Sequence, residues 1–262
     1  VKMMAENLMQ GKKGLIMGVA NKKSIAWSIA QKMQQQGAEL AFTYQDEQVA
    51  RKVIPLFEEL GAEFYERLDV LDDQQFTQVF TKLDDYFAGE LDFLVHAIAG
   101  GPKKSELKGK YVATSRTGFT KAMEISVYSF TKALQLAQPL MEGRNSTAIT
   151  LSYYGSEKVM PNYNVMGVAK AALEASVAYL ADDFGEDGIR VNALSPGPVL
   201  TRAACGISDF RGLLKAFSER APMKRLVKRE EIAKSALYLL SDLSQGVTGE
   251  IIHIDAGYNI IG

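Results

Sequence analysis

Seven short apolar runs, separated by stretches of helical period, limit what this chain can fold into. Gly14 to Met17, Glu39 to Tyr44, Phe64 to Val70, Phe93 to Ile98, Ala148 to Leu151, Arg190 to Leu194 and Glu250 to Ile254 read as strands. Between them, Ile25 to Gln36, Asp46 to Leu60 and Asp72 to Phe87 carry helical periodicity and stop at Gly37, Gly61 and Gly89. Ser115 to Met141 reads as one long helix, with further helices over Asn164 to Phe184 and Arg229 to Leu240. Pro196 to Pro222 reads as irregular with a short helical piece. Strand alternating with helix is the pattern of an α/β chain built on a doubly wound, seven-stranded parallel sheet, the Rossmann fold. The unbroken apolar run Phe93 to Ile98 suits a strand buried on both faces. No linker, repeat or shift of composition divides the chain, so residues 1–262 are expected to form a single domain.

Composition removes several classes of function. A formal net charge of -1 and the lack of an acidic tail or basic excess give no sign of nucleic-acid binding. One cysteine, Cys205, allows no intramolecular disulfide and no cysteine-based metal site, and two histidines are too few for a histidine-rich one, so no metal is expected. The first residues lack the apolar stretch of a signal peptide, and no run of about 18 apolar residues suggests a membrane span. A cytoplasmic protein is the expectation.

In a doubly wound sheet, ligands bind outside the carboxyl ends of the strands. Gly18 ends the first strand, and Ser24 and Ile25 open the first helix, where free N–H groups and the positive dipole end suit a pyrophosphate. Gly18 has no glycine partner before Gly37, so the turn by itself serves equally as a plain strand–helix connection. The second strand ends in Gln45-Asp46, where a polar or acidic residue meets an adenosine ribose. No Arg or Lys follows Tyr44 to suit a 2′-phosphate, which favours NADH over NADPH. Lys22 and Lys23 on the neighbouring turn keep NADPH open as the less favoured cofactor. Asp69-Val70 and Ile98 end the third and fourth strands on the same rim, and an aspartate at position 69 caps a helix as readily as it holds an adenine.

The segment Ser152 to Lys170 carries Tyr153, Tyr163 and Lys170. Tyr163 and Lys170 are seven apart, which on a continuous helix sets them two turns apart at nearly one azimuth. A neighbouring ammonium favours the phenolate and strengthens the phenol as a donor. A buried tyrosine and a surface lysine in an ordinary helix would show the same spacing.

Three segments occur together in order: Gly18-Val-Ala-Asn-Lys-Lys-Ser-Ile-Ala, Pro161-Asn-Tyr-Asn-Val-Met-Gly-Val-Ala-Lys170 and Val247-Thr-Gly-Glu-Ile-Ile-His-Ile-Asp255. Together they resemble the bacterial enoyl-acyl-carrier-protein reductases, a divergent branch of the short-chain dehydrogenase/reductase superfamily, over essentially the whole chain. Most members of that superfamily carry Tyr-x-x-x-Lys with a serine thirteen residues before the tyrosine. With Lys170 as that lysine, those positions hold Met166 and Tyr153, and the tyrosine stands three residues earlier at Tyr163. The register therefore disfavours a 3-ketoacyl or other carbonyl reductase. A non-catalytic dinucleotide sensor is the other rival, and such a binder has more need of the lysine than of the phenol.

The resemblance implies reduction of trans-2-enoyl thioesters by NADH, the last reductive step of fatty-acid elongation. Tyr163 would hydrogen-bond the developing enolate and Lys170 would hold the nicotinamide ribose. Tyr153 matches an active-site tyrosine whose role is either to shape the acyl site or to handle a proton. Gly18, Ser24 and Ile25 match pyrophosphate and ribose contacts, and Gln45, Asp69, Val70 and Ile98 match adenosine-side or neighbouring contacts. Val199, Leu200, Thr201, Arg202 and Ala203 match the segment covering the nicotinamide and its phosphates. Gly101, Tyr153, Tyr163, Met166, Pro198, Ile207 and Phe210 would line the substrate side, with residues 196–222 as the substrate-binding loop. A homotetramer and an acidic acyl-carrier protein as substrate carrier are likewise implied. The chain departs from the family at Pro196-Gly197-Pro198 and Gly100-Gly101, and Ser208 and Gly212 are neutral where docking residues tend to be basic; Arg211 and Lys215 remain. Of the other conspicuous residues, His96 and His253 read as core histidines, Cys205 as a packing residue, and Lys224, Arg225, Lys228 and Arg229 as a solvated face.

Overall fold

The computed structural model describes residues 7–199 and 210–261, and for residues 210, 211 and 213 the backbone alone. Strand β1 (Lys13–Met17) leads to helix α1 (Ile25–Gln35), β2 (Glu39–Tyr44) to α2 (Glu47–Glu59), and β3 (Phe64–Arg67) to α3 (Asp73–Phe87). Strand β4 (Phe93–His96) is followed by α4 (Arg116–Met123) and α5 (Ser129–Met141), and β5 (Thr147–Leu151) by α6 (Val165–Gly185). Strand β6 (Arg190–Pro196) precedes α7 (Phe210–Arg220), α8 (Arg229–Leu240) and β7 (Ile251–Ile254).

The seven strands form one sheet in the order β3-β2-β1-β4-β5-β6-β7, parallel at every pairing. Alternation along each strand sends side chains to opposite faces. Ile16 of β1 packs in the layer with Trp27, Phe42, Phe57 and Ile232, while Leu15 and Met17 face Phe76, Phe80, Phe130 and Leu173. Each fully buried side chain of this size contributes about 1.5–3 kcal/mol, so both faces must be covered. Helices α1, α2 and α8 cover one, and α3, α5 and α6 the other. Phe42 and Phe57 stack at 4.1 Å between β2 and α2.

The winding reverses between β1 and β4, and the carboxyl ends of these two strands open the crevice where such sheets bind ligands. At that point Gly18 has φ of +98°, and a Cβ there would stand 2.3 Å from the Ala97 carbonyl oxygen. Only glycine allows the first turn to cross so close to β4.

The structure departs from the sequence pattern in four places. β3 ends at Arg67 and not at Val70, because the Asp69 N–H leaves the ladder for the Gln75 side chain. β4 likewise ends at His96, which leaves Ile98 in the following loop. The expected single helix Ser115 to Met141 is interrupted by a π-helical segment, Glu124–Tyr128. A single π turn sits within an α-helix without ending it, so a reading of helical stretches does not mark it. The short helical piece expected within 196–222 is an eleven-residue helix, α7.

Candidate active site

The segment from Ser152 to Lys170 lies at the carboxyl end of β5, where it turns over the sheet before entering α6. Tyr153 is followed by a 3₁₀ turn, Tyr154–Ser156. Tyr163 lies two residues before the first residue of α6, so the phenol is held by a turn and the lysine by the helix. Between them Asn164 has φ 42° and ψ −121°, outside the regions an L-residue ordinarily occupies. Its side-chain amide donates to the Glu106 carbonyl at 3.0 Å, which ties this strained point to the loop after β4.

Two glycines let the parts approach. A Cβ on Gly155 would stand 2.5 Å from Cδ1 of Tyr163, and one on Gly167 would stand 2.6 Å from the Gly155 carbonyl oxygen. The Tyr163 ring therefore lies against bare backbone, and Tyr153 meets it edge to face with centroids 4.9 Å apart. Burial, then the Tyr153 phenol, pushes the Tyr163 pKa up, and burial likewise pushes up that of Tyr153. Both are neutral phenols near pH 7. This corrects the expectation that Lys170 would favour the Tyr163 phenolate: desolvation wins, and it leaves the proton where a donor needs it.

Lys170 is not a surface residue. It is 4% exposed, and Nζ donates to the Leu151 carbonyl at 2.6 Å. Burial lowers its pKa to about 8, opposed by the nearby Glu174 carboxylate. Glu174, one turn further along α6, joins the two halves of the site. Its Oε1 accepts from the Ser152 hydroxyl and lies 2.7 Å from the Ser156 hydroxyl, which is also 3.0 Å from the Tyr153 carbonyl. One carboxylate thus braces the turn that bears Tyr153 and adds negative charge beside Lys170. The sequence reading missed Glu174, although its i+4 spacing from Lys170 was a signal that could have found it.

His96 is a core histidine as expected. It is fully buried, with Thr150 Oγ1 3.0 Å from Nδ1 and Ser129 Oγ 2.8 Å from Nε2, and burial together with the Lys170 charge lowers its pKa to about 3. His253 is not one: it is half-buried on β7 with Nε2 2.6 Å from a Glu157 carboxylate oxygen. Nor is the cationic run after α7 wholly solvated, since Arg225 grips Glu231 with two hydrogen bonds of 2.8 and 2.7 Å.

The expected cofactor residues follow the rim. Ser24 caps α1, accepting from the Trp27 N–H at 3.3 Å, and Gly18 and Ile25 flank that turn. The N–H groups of this first turn, which Gly18 leads into, suit a phosphate. Asp46 is consumed as the cap of α2, which leaves Gln45 exposed at the end of β2. Asp69 does not cap α3, a task that falls to Asp72; its carboxylate accepts from the Leu71 N–H within its own loop. Val70 and Ile98 are half-buried against the α3 side of the sheet. Lys22 reaches away to Glu59, 3.2 Å distant.

On the substrate side, Gly101 has φ of +120°, and a Cβ there would stand 2.5 Å from the Ala122 nitrogen. The adjoining Gly100 exchanges hydrogen bonds with Ser126 of the π-helical segment, which holds the loop down. Met166 is buried with Ala122, Val165 and Ala169, next to Tyr163. Pro198 and Val199 are buried after β6. Leu200, Thr201, Arg202, Ala203, Cys205 and Ile207 lie outside the described residues, and so does the side chain of Phe210. Among the described residues, no group of three or more His, Cys, Asp or Glu is placed to hold a metal ion, and no helix is long and apolar enough to cross a membrane.

A doubly wound parallel sheet with a phenol and a buried lysine at the carboxyl rim beside the switch point defines the scaffold of the short-chain dehydrogenases and reductases. A family model described as enoyl-(acyl carrier protein) reductase matches residues 18–259. The chain is 55% identical over 258 residues to enoyl-acyl-carrier-protein reductase (NADH) 1 of Rhizobium meliloti, covering 98% of this chain and 94% of the relative. It resembles the crystal structure of an Anaplasma phagocytophilum enoyl-acyl-carrier-protein reductase in complex with NAD, with a TM-score of 0.93, 50% identity and coverage of 100% and 98%. A Bacillus cereus enoyl-acyl carrier protein reductase with NADP+ and indole naphthyridinone gives a TM-score of 0.93 at 45% identity, covering 97% and 99%. The chain belongs to the enoyl-acyl-carrier-protein reductase family.

Proposed function

We infer that this protein reduces the trans-2 double bond of enoyl thioesters carried on acyl-carrier protein, with NADH as reductant, in the fatty-acid elongation cycle. The observation that carries the reading is the Tyr163 phenol, kept protonated by desolvation beside Tyr153 and followed by the buried Lys170. Bound NADH supplies the hydride that adds to C3 of the enoyl group. That addition drives negative charge onto the thioester oxygen, where the Tyr163 hydroxyl donates a hydrogen bond that strengthens as charge develops. The enolate then takes a proton at C2. Lys170 offers its remaining N–H donors to the nicotinamide ribose while one is held by Leu151. Tyr153 walls the Tyr163 ring and keeps it in register, a role supported by the edge-to-face contact.

The first turn of α1, with Gly18, Ser24 and Ile25, is assigned to the pyrophosphate, and Gln45, Asp69, Val70 and Ile98 to the adenosine side. Residues 199–203 are assigned to the nicotinamide side. Gly101, Met166, Pro198, Ile207 and Phe210 complete the acyl site, within a single reductase domain whose substrate-binding loop spans 196–222. Lys22, engaged with Glu59, is poorly placed to receive a 2′-phosphate, which supports NADH over NADPH. A cytoplasmic location belongs to the same proposal.

The test is absorbance of NADH, then NADPH, with a crotonyl thioester and with an acetoacetyl thioester. Oxidation with the enoyl substrate and little with the keto one is expected. An enzyme that binds NADH but turns over no enoyl thioester would refute the reading, and turnover of the keto substrate alone would mark a carbonyl reductase.

Two further expectations arise from the site and its surroundings. Glu174→Ala should lower kcat/KM for the enoyl thioester by roughly 10–100-fold, the range for losing hydrogen bonds to a charged group. Glu174→Gln keeps an acceptor for Ser152 and Ser156 and should recover much of the loss; an alanine variant equal to wild type would exclude this bracing role. Phe119, Tyr128, Val168 and Tyr179 are 38%, 50%, 37% and 76% exposed on α4, the π-helical segment and α6. Large apolar side chains so exposed on neighbouring helices support the proposed homotetramer. Sedimentation at micromolar concentration should find four copies, and a monomer would rule the assembly out.

A further inference from the structure

After β7 the chain turns sharply into a short 3₁₀ segment, Tyr258–Ile260, which brings one aromatic ring into contact with two parts of the site. Asp255 fixes that turn: its carboxylate oxygens accept from the Gly257 N–H at 2.9 Å and the Asn259 N–H at 2.8 Å, while Gly257 takes φ of +86°. The Tyr258 ring stacks on Phe217 of α7, with centroids 3.6 Å apart and planes 15° apart. The Arg220 guanidinium, one turn further along α7, lies 5.9 Å from the centroid of the same ring. From the turn after Tyr153, Tyr154 meets Tyr258 edge to face at 5.6 Å. Stacked and edge-to-face rings prefer definite geometries, so these contacts fix orientation as well as proximity.

Among the described side chains of α7 only Leu214 and Phe217 are buried, so the helix depends on these contacts for its place. The chain just beyond it is tied to the same corner. There the Met223 N–H donates to the Ala256 carbonyl at 3.2 Å, and a Cβ on Gly257 would stand 3.0 Å from Pro222. Phe217 and Tyr154 share one apolar cluster with Met160, and Tyr153, Tyr163 and Tyr258 all pack against it. Burial, followed by the Tyr258 phenol, raises the Tyr153 pKa, in keeping with two neighbouring phenols. Tyr163 and Lys170 are placed by β5, α6 and the turn between them, without α7. A short enoyl group reacting there has little need of that helix. A long acyl chain extends past the two phenols and needs an apolar wall of fixed position, and α7 is the helix packed beside them.

We propose that Tyr258 is a positioning residue for the acyl site: its ring joins α7 to the turn after Tyr153 and so fixes the wall that a long acyl chain meets, a proposal that rests on the enoyl-reductase reading above. The test compares wild type, Y258A and Y258F on the crotonyl and trans-2-dodecenoyl thioesters of coenzyme A. Y258A should lose at least about 10-fold in kcat/KM with the dodecenoyl substrate, carried by KM, as expected when a binding element is displaced. With the crotonyl substrate kcat and KM should change less than about three-fold, and so should NADH affinity. Y258F keeps the ring and should behave as wild type. Equal losses on both substrates, no loss with the dodecenoyl one, or a phenylalanine variant as poor as alanine would overturn the proposal. Should Y258A fail to fold, Phe217→Leu breaks the same stack from the helix side and is held to the same split between substrates. Hydrogen exchange of the α7 amides separates this from the reductase reading. Faster exchange in α7 of Y258A, with α6 unchanged, supports the joint even where neither thioester is turned over, and exchange equal to wild type excludes it.

Discussion

Phenylalanine in place of Tyr163 should lower turnover of an enoyl thioester by roughly 10²–10³-fold, the usual cost of removing one oxyanion donor. Phenylalanine retains the ring, so the contacts with Tyr153 and with the Gly155 backbone remain and only the hydroxyl is lost. The loss should fall on kcat, with NADH affinity and thermal stability close to wild type, because the donor acts on charge that exists only as hydride arrives. Burial holds the phenol in its protonated form, so the wild-type rate should not rise toward pH 10 as it would if the phenolate were the active species. Steady-state kinetics with a crotonyl thioester and NADH titration by fluorescence measure both. Unchanged turnover would show that another group is the donor.

Lys170→Met should separate function from stability. The lysine is buried, and burial lowers its pKa from 10.5 to about 8, so folding pays for a poorly solvated ammonium. Methionine fills a similar volume without charge and gives up one hydrogen bond to Leu151. Relief of the buried ammonium and loss of its attraction to Glu174 oppose each other, so the free protein should unfold close to the wild-type temperature. Affinity for NADH should nevertheless fall by about 10²-fold or more, as expected for two charge-assisted hydrogen bonds. The sign of the pH effect follows from the lowered pKa. Between about 8 and 10.5 the unfolded chain binds the proton more readily than the folded one, so wild-type stability gains from this group as pH rises through that window. Lys170→Met should lack that gain. Urea titrations at pH 7.5 and 9.5 measure it, and identical pH dependence in the two proteins would place the ammonium in water.

The fold was largely legible because its causes are local and repeated. Seven apolar runs, glycine stops at positions 37, 61 and 89, and caps at Ser24, Asp46 and Asp72 all agree with the alternating sheet. The π-helical segment was not legible, because it lies inside a continuous helical stretch and differs from it only in hydrogen-bond pattern. His253 escaped for a different reason: its partner Glu157 lies 96 residues away, and only the closing of β7 against β6 brings them together.

At the site the division is sharper. By itself the sequence determined the order of strands and helices and the spacing of Tyr153, Tyr163 and Lys170, to which the family resemblance gave its meaning as an enoyl reductase rather than a carbonyl reductase. Both follow from spacing along the chain, which folding does not alter. Tertiary structure alone decided the protonation of the groups, since proton affinity depends on what surrounds them. Tyr163 keeps its proton because rings and backbone exclude water from it, and Lys170 titrates near 8 because α6 carries it inside the protein. Glu174 braces the site because β5 and α6 bring Ser152, Ser156 and one carboxylate to a single point.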